Sequence, residues 1–115
     1  MSLSREQRLR KSSDYQRLRD SGQWIPGKYF HLQVSPRGRG ATTSRLGLAV
    51  SRRIGSAVVR NRVRRRLRES FRRFSSDLVE PIDLVAIARK GIDSLEFSDL
   101  DARLRQALRK WFPSS

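Results

Sequence analysis

The amino-acid sequence predicts an α/β sandwich (an α+β fold) in which helices pack on one sheet of about four strands. Two observations carry this prediction. Short segments with alternating or continuous apolar residues predict strands, and segments whose apolar residues recur every three or four positions predict helices. In chain order these segments give α-β-β-β-α-β-α. A chain of 115 residues is long enough for a single domain, residues 1–115, with one modest core.

The first predicted helix runs from about residue 14 to residue 20, and Gly22 ends it. Tyr15 and Leu18 lie on one face of this helix, because residues three positions apart are neighbours on a helix. The preceding residues, 1–11, are polar and basic. We expect them to form a mobile basic arm.

Three strands are expected next, at residues 23–25, 28–35 and 45–51. The second of them alternates, so that one of its faces should be apolar and buried, with Phe30, Leu32 and Val34. Between the second and third strands lies a glycine-rich loop that contains Arg37 and Arg39. Its composition fits an RNA contact and a plain hairpin connection equally well.

The segment 51–73 is the most basic part of the chain, with ten Arg in 23 residues and a single acid, Glu69. Its apolar residues recur at helical spacing, in steps of four, four, four and three. We therefore predict a helix that packs on the core through Val59, Val63, Leu67, Phe71 and Phe74.

At roughly 100° per residue, a second stripe of this helix falls opposite the apolar one. That stripe consists of Asn61, Arg65, Arg68 and Arg72, and a flank between the two stripes holds Arg62, Arg66, Glu69 and Arg73. Like charges four residues apart destabilise a helix, so a mixture of Lys and Glu would serve solubility better. A guanidinium fork also suits phosphate. The stripe therefore predicts a polyanion-binding surface.

The C-terminal part should contribute scaffold. Residues 82–88 predict a mostly buried strand, and a last helix follows near residue 98 with acids in its first turn. The apolar stripe of that helix is Leu100, Leu104, Leu108 and Trp111.

The net charge of +15 is unevenly distributed along the chain. Residues 1–76 contain 20 of the 26 Lys and Arg but only four of the 11 Asp and Glu. Nucleic acid is the partner that such asymmetry favours. A membrane surface is the lesser alternative, because the apolar face of the Arg-rich helix has an ordinary core composition.

The composition also limits where the protein acts. It contains no Cys, which excludes disulfides and thiolate chemistry. No apolar run of 18 residues is present, and the first residues lack a hydrophobic signal segment. We expect a cytoplasmic protein that does not enter a membrane.

Nuclease chemistry has no evident basis in these residues. Two-metal cleavage of a phosphodiester needs carboxylates that hold two ions about 4 Å apart. Asp99 and Asp101 are instead placed to complement a helix dipole, and Asp83 has no acidic neighbour in its strand. His31 is the single histidine, so a two-histidine acid–base pair is impossible. We expect the protein by itself to be non-catalytic and to bind neither a metal nor another cofactor.

Two adjacent motifs resemble the signature of the bacterial ribonuclease P protein subunit. Residues 51–55 read Ser-Arg-Arg-Ile-Gly, and residues 57–65 read Ala-Val-Val-Arg-Asn-Arg-Val-Arg-Arg. Every position of the signature is filled, and a looser resemblance extends from Arg8 to the last helix. The resemblance implies the α/β sandwich with a left-handed strand–helix–strand crossover. Physical reasoning from the sequence does not give that handedness.

The resemblance also implies a function. In ribonuclease P the RNA subunit cleaves precursor tRNA with divalent ions such as Mg²⁺ and so matures its 5′ end. The protein binds this catalytic RNA and the single-stranded 5′ leader of precursor tRNA, and no obligate protein partner is inferred. The residues that we expect at the catalytic RNA are Arg52, Arg53, Arg60, Asn61, Arg62, Arg64, Arg65, Arg68 and Arg72. Those expected at the leader cleft are Lys11, Tyr15, Arg19, Gln33, Ser51 and Arg53.

Two positions of the leader cleft depart from the family pattern. Family members often have aromatic residues where this chain has Arg19 and Gln33. Leader contacts should therefore be more electrostatic and less stacked than in those members.

Two other classes remain as alternatives. A ribosomal or other general RNA-binding protein would show the same charge without needing both motifs. A DNA-binding helix would have a second short helix packed across it, whereas a strand precedes the Arg-rich helix here.

Overall fold

The fold was analysed in a computed structural model, which describes residues 3–114. In this part of the chain three α-helices and four strands follow one another in the predicted order, α-β-β-β-α-β-α, with short 3₁₀ turns between some of them. The elements are α1 (Ser12–Ser21), β1 (Gln23–Ile25), β2 (Phe30–Pro36), β3 (Arg45–Ala49), α2 (Ala57–Phe74), β4 (Ile82–Ala88) and α3 (Phe97–Ala107). The predicted fold class is confirmed.

The four strands form one mixed sheet in the order β1-β2-β4-β3. β2 pairs antiparallel with both β1 and β4, whereas β3 and β4 pair in parallel. Parallel neighbours require a crossover, and α2 supplies it between β3 and β4. The left-handed form of this crossover stays a prediction.

One face of the sheet, which we call the first face, carries the main core under α2 and α3. The apolar stripe of α2 lies here as predicted, with Val63, Leu67, Phe71 and Phe74 buried. β2 contributes its predicted inward residues Phe30, Leu32 and Val34, and α3 contributes Leu100, Leu104 and Leu108. The helix that carries eight of the 22 Arg residues is therefore anchored along its length.

The other face, which we call the second face, is covered by α1 and the segment that precedes it. Leu18 of α1 and Leu9 pack against Val85 of β4, and Tyr15 and Ile87 lie beside them half-buried. β4 is therefore enclosed on both faces, which explains its nearly continuous apolar sequence. This second, smaller core fixes α1 on the sheet.

The N-terminal segment differs from the mobile arm predicted for residues 1–11. Leu3 and Leu9 are buried, and Arg8 forms a parallel bridge with Leu46 at the edge of β3. The Arg8 guanidinium also donates two hydrogen bonds to the carbonyl of Leu3, at 2.8 and 3.1 Å. Burial of these two apolar side chains stabilises the segment against the protein, although most of its other residues are polar. Met1 and Ser2, which belong to the same prediction, lie outside the described residues.

Candidate nucleic-acid interface

The outward face of α2 presents the predicted basic stripe to solvent. Asn61, Arg65, Arg68 and Arg72 are all exposed, because Val63 and Leu67 occupy the opposite, buried side, and Arg62 of the predicted flank is exposed as well. The helix begins at the N-cap Ser56, whose side chain accepts a hydrogen bond from the amide of Val59. Core packing and this cap hold the guanidinium groups on a rigid element.

Arg65 and Arg68 differ from Arg72, the third arginine of the stripe, in their charge environment. Among residues 3–114, no carboxylate lies within 4.0 Å of either guanidinium. The single acid of α2, Glu69, accepts two hydrogen bonds from Arg72, at 2.7 and 2.8 Å, and one from Arg73 at 3.0 Å. The bonds from Arg72, followed by that from Arg73, lower the pKa of Glu69 to about 2. Arg72 is thus on the predicted face but is already paired.

The two flanks of α2 are occupied by contacts within the protein. On one flank, Arg66 donates to the carbonyl of Leu95 at 2.8 Å, and the Arg73 guanidinium lies 4.9 Å from the centre of the Phe97 ring. On the other flank, Arg64 donates to the Asn61 side chain at 3.0 Å. The flank arginines therefore help to position α2.

The Ser-Arg-Arg motif lies beside the start of α2. Ser51, Arg52 and Arg53 follow β3 and are exposed, and residues 52–54 form a 3₁₀ turn. Arg64 reaches this end of β3 through a long contact with the carbonyl of Val50, at 3.4 Å. Arg60 is half-buried near the first turn of the helix. The structure thus places the two predicted groups, the motif and the helix, side by side.

The second face of the sheet consists of three rows of side chains that cross β2, β4 and β3. Strand register assigns the first row to Ser35, Asp83 and Arg45, the second to Gln33, Val85 and Gly47, and the third to His31, Ile87 and Ala49. α1 crosses the first two rows, since Arg17 reaches Ser35 and Asp83 and Leu18 packs on Val85. We call the third row the open row, because Ala49 is exposed and the other two residues are only half-buried.

Tyr15 lies between α1 and the sheet, beside the predicted cleft. Its hydroxyl donates to the carbonyl of Leu9 at 3.2 Å, and burial raises the pKa of this phenol. The ring packs so closely over Gly47 that a Cβ atom there would lie 2.5 Å from the phenolic oxygen. Only a glycine at this point of β3 admits the ring in its observed position.

The other predicted cleft residues are not all brought together. Arg19 is exposed on α1, where it donates to Gln16 at 2.6 Å, and Gln33 lies half-buried in the second row. Lys11 lies at the opposite end of α1. It lines a separate concavity of about 330 Å³ with Arg5, Arg8, Arg10 and Arg45. Ser51 and Arg53 do not line this concavity.

A buried ion cluster around Asp83 was missed by sequence reasoning. Asp83 accepts two hydrogen bonds from Arg45, both at 2.8 Å, and one from Arg17 at 2.5 Å, while the Nε atom of Arg37 lies 3.6 Å away. Burial opposes ionisation of Asp83, but the hydrogen bonds from Arg45 and Arg17 outweigh it and lower the pKa of this carboxyl. The sequence contains one indication of this cluster, which is a single aspartate within the otherwise apolar strand 82–88.

The same cluster distinguishes the two arginines of the β2–β3 loop. Arg37 is half-buried and donates to the carbonyl of Thr43 at 2.5 Å, so it is directed into the protein. Arg39 is exposed. Of the two, Arg39 is the one available to a ligand.

Within 3–114, no group of three or more His, Asp or Glu side chains is arranged to hold a metal ion. None of the helices in that range is long and apolar enough to cross a membrane.

Comparison with protein families and relatives gives one consistent result. A family profile described as Ribonuclease P matches residues 3–111. The chain is 35% identical to the ribonuclease P protein component of Brevibacillus brevis over 108 residues, which cover 94% of this chain and 85% of the relative. It is 38% identical to that of Streptococcus thermophilus over 107 residues, covering 93% and 94%.

Solved structures show the same similarity in three dimensions. The Staphylococcus aureus RNase P protein superimposes with a TM-score of 0.81 at 28% identity, covering 93% of this chain and 98% of that one. The Thermotoga maritima RNase P protein gives 0.77 at 30% identity, covering 90% and 96%. Both the sequence and the arrangement of elements therefore agree with one family over nearly the whole chain.

Proposed function

Because this chain belongs to the bacterial ribonuclease P protein family, we propose that it binds the catalytic RNA through α2 and the 5′ leader of precursor tRNA through the second face of the sheet. The family functions in tRNA 5′ maturation as the protein component of an endoribonuclease. Its partner is the ribonuclease P RNA, and we place the assembly in the cytoplasm, where precursor tRNA would be the substrate.

The observation that carries this proposal is the pair Arg65 and Arg68. Their guanidinium groups are exposed on a rigid helix and have no carboxylate within 4.0 Å among the described residues. Phosphate oxygens would satisfy these donors bidentately. Bringing RNA to this face would also relieve repulsion between like charges on α2.

The leader surface is proposed from the second face of the sheet. The open row adjoins Ser51, Arg52 and Arg53 at the end of β3. An unpaired RNA strand could therefore contact the side chains of the open row and these three residues at the same time. Single-stranded RNA is recognised through such a combination of stacking and positive charge. A general RNA-binding role without cleavage would not need two such surfaces on one small domain.

The protein itself would contribute binding and no bond cleavage. The Mg²⁺ that the reaction needs would be held by the RNA subunit, and basic side chains of the protein would offset phosphate repulsion as that RNA folds. Fewer ions would then be required for the folded, active RNA.

The test is a comparison of cleavage by the protein, the RNA subunit, and the two together. We expect the protein alone to leave precursor tRNA intact and the combination to cleave it at a lower Mg²⁺ concentration than the RNA alone. Magnesium titrations of single-turnover cleavage measure this directly. Cleavage by RNA-free protein would refute the non-catalytic assignment, and an unchanged Mg²⁺ requirement would favour the general RNA-binding alternative.

Tyr15→Ala should weaken binding of precursor tRNA while leaving mature tRNA unaffected. Stacking of a base on an aromatic ring is worth about 1–3 kcal/mol, which corresponds to about a 5- to 150-fold loss of affinity. Tyr15→Phe should retain most of the affinity, because it keeps the ring and removes only the hydrogen bond to Leu9. Binding titrations of the holoenzyme with both tRNA forms measure the ratio.

Thermal unfolding of the same Tyr15 variants separates this role from core packing. If Tyr15→Ala melts far below the wild type and the precursor-to-mature affinity ratio is unchanged, Tyr15 is a core residue that does not contact the leader.

A further inference from the structure

An exposed tryptophan stands on the second face of the sheet, next to the open row. Trp24 retains 49% of its accessible surface. In the β1–β2 register it lies directly opposite Gln33, so both side chains project from the second face. The strand pair thus places an exposed aromatic ring beside Gln33, one of the residues expected at the leader cleft.

The Trp24 ring packs against a neighbouring aromatic side chain on the same face of the sheet. It packs against the ring of His31, with the two centroids 4.7 Å apart and the planes tilted by 38°. The amide of Gly27 donates to Nδ1 of His31 at 3.3 Å, and the carbonyl of Gly27 accepts a hydrogen bond from Arg89 at 2.6 Å. A ring that is already ordered loses little conformational entropy when a ligand stacks on it.

The charge around this end of the sheet selects among possible occupants. Five exposed cations flank the strands at this end of the sheet: Lys28 before β2, Arg52 and Arg53 after β3, and Arg89 and Lys90 after β4. These flanking positions, 28–29, 50–53 and 89–90, contain no acid. An exposed aromatic ring on a sheet whose strand ends carry cations fits a polyanion whose units carry flat rings, which is single-stranded nucleic acid.

We propose that Trp24 stacks an unpaired base of the 5′ leader and is a specificity-determining residue for precursor tRNA. The inference rests on the proposed function and extends it, because the leader would then cross the open row from Tyr15 to β1. Tyr15 packs over β3 and Trp24 stands on β1, three strand spacings away, or about 14 Å. Leader contacts in this protein are therefore stacked at Trp24 as well as electrostatic.

The experiment uses the holoenzyme and two precursor tRNAs, one with a single-nucleotide leader and one with a leader long enough to cross all four strands. Trp24→Ala should lower affinity for the long-leader precursor by about 5- to 150-fold. Binding of the short-leader precursor and of mature tRNA should be unchanged, because neither reaches β1. Trp24→Phe should restore most of the loss.

Val79→Ala is the matched control. Val79 is also an exposed apolar residue, at 59%, but it precedes β4 at the other end of the sheet. Removing it should leave all three affinities unchanged. An equal effect of Val79→Ala and Trp24→Ala would show that the loss reflects general surface apolarity and would overturn the inference.

Tryptophan fluorescence gives an independent reading, because the second tryptophan, Trp111, is buried at 5% exposure. Titrating the protein with a single-stranded oligoribonucleotide should quench the Trp24 emission, and the quenching should disappear in Trp24→Phe. Quenching that persists in Trp24→Phe would contradict stacking on Trp24.

Failure of the inference is distinguishable from failure of the proposed function. If the wild-type holoenzyme prefers long-leader precursor to mature tRNA and Trp24→Ala keeps that preference, the role of Trp24 is refuted and the leader surface stands. If the wild type shows no such preference, the proposed leader surface fails and the inference fails with it. A uniform loss for every tRNA form would mark Trp24 as structural and also refute the inference.

Discussion

Replacing Asp83 by alanine should lower the free energy of unfolding by about 3–5 kcal/mol, the cost of removing one partner from a buried ion pair. Asp83 is fully buried and accepts hydrogen bonds from Arg17 and Arg45. Without the carboxylate, these two guanidinium groups and that of Arg37 would face one another with only Asp14 nearby. Urea unfolding followed by circular dichroism measures the loss.

Asp83→Asn tests the charge separately from the shape of the side chain. The amide fills the same space but offers a single oxygen acceptor and no negative charge. Asp77→Asn is its matched control, since it removes one charge from an exposed residue. If Asp83→Asn unfolds at the same urea concentration as Asp77→Asn, the cluster does not stabilise the fold.

The Asp83 cluster also gives the stability a pH dependence of known sign. The folded-state pKa of Asp83 is lowered, so the folded protein binds this proton less readily than the unfolded chain does. Its contribution to stability is therefore present above the usual Asp pKa of about 3.9 and is lost as the pH falls through the lower folded-state value. In the wild type, stability should fall with acidification in that range, and Asp83→Asn should lack this part of the decrease.

Arg65→Ala and Arg68→Ala should each weaken binding of the ribonuclease P RNA and flatten its dependence on salt. Each phosphate that a protein neutralises adds roughly 0.7–0.9 to the slope of log affinity against log salt concentration. Because both guanidinium groups are exposed without a carboxylate partner in the described residues, each variant should reduce this slope by about one unit. Affinity measured across a series of salt concentrations gives the slopes.

Arg73→Ala removes the same charge from the same helix and is the matched control. Arg73 is paired with Glu69 and lies against Phe97, so its loss should change the slope far less. The change in slope for Arg72→Ala should lie between these values, because Arg72 is on the predicted RNA face but Glu69 already offsets its charge. Equal losses for Arg65, Arg68 and Arg73 would mean that α2 acts as a diffuse charge without a binding face.

Leu67→Ala checks that these effects come from the RNA surface and not from unfolding. Leu67 is buried at 1% exposure, so its truncation should cost about 2–5 kcal/mol of stability. The Arg65 and Arg68 variants should melt close to the wild type. If they melt as early as Leu67→Ala, their binding defects reflect lost structure.

The sequence alone determined the order of the elements, the buried stripe of α2 and the family. Each of these depends on local spacing: alternation in β2, a three- or four-residue period in α2, and two motifs that are contiguous in the chain. The helical period places Arg65 and Arg68 opposite the apolar stripe of α2, whatever that stripe packs on. The burial of Leu3 and Leu9 was not predicted, because these two residues follow no period within the polar and basic segment 1–11.

Only the tertiary structure decided which charges are available and what stands beside the cleft. Arg17 and Arg45 meet Asp83 across 66 and 38 residues of chain, and the β1–β2 register sets Trp24 opposite Gln33. Folding also placed Lys11 beside Arg5, Arg8 and Arg45 in a concavity of its own. These outcomes depend on how strands align and on which side chains converge at a contact. Local periodicity contains no information on either, because the contacts form only when distant segments pack together.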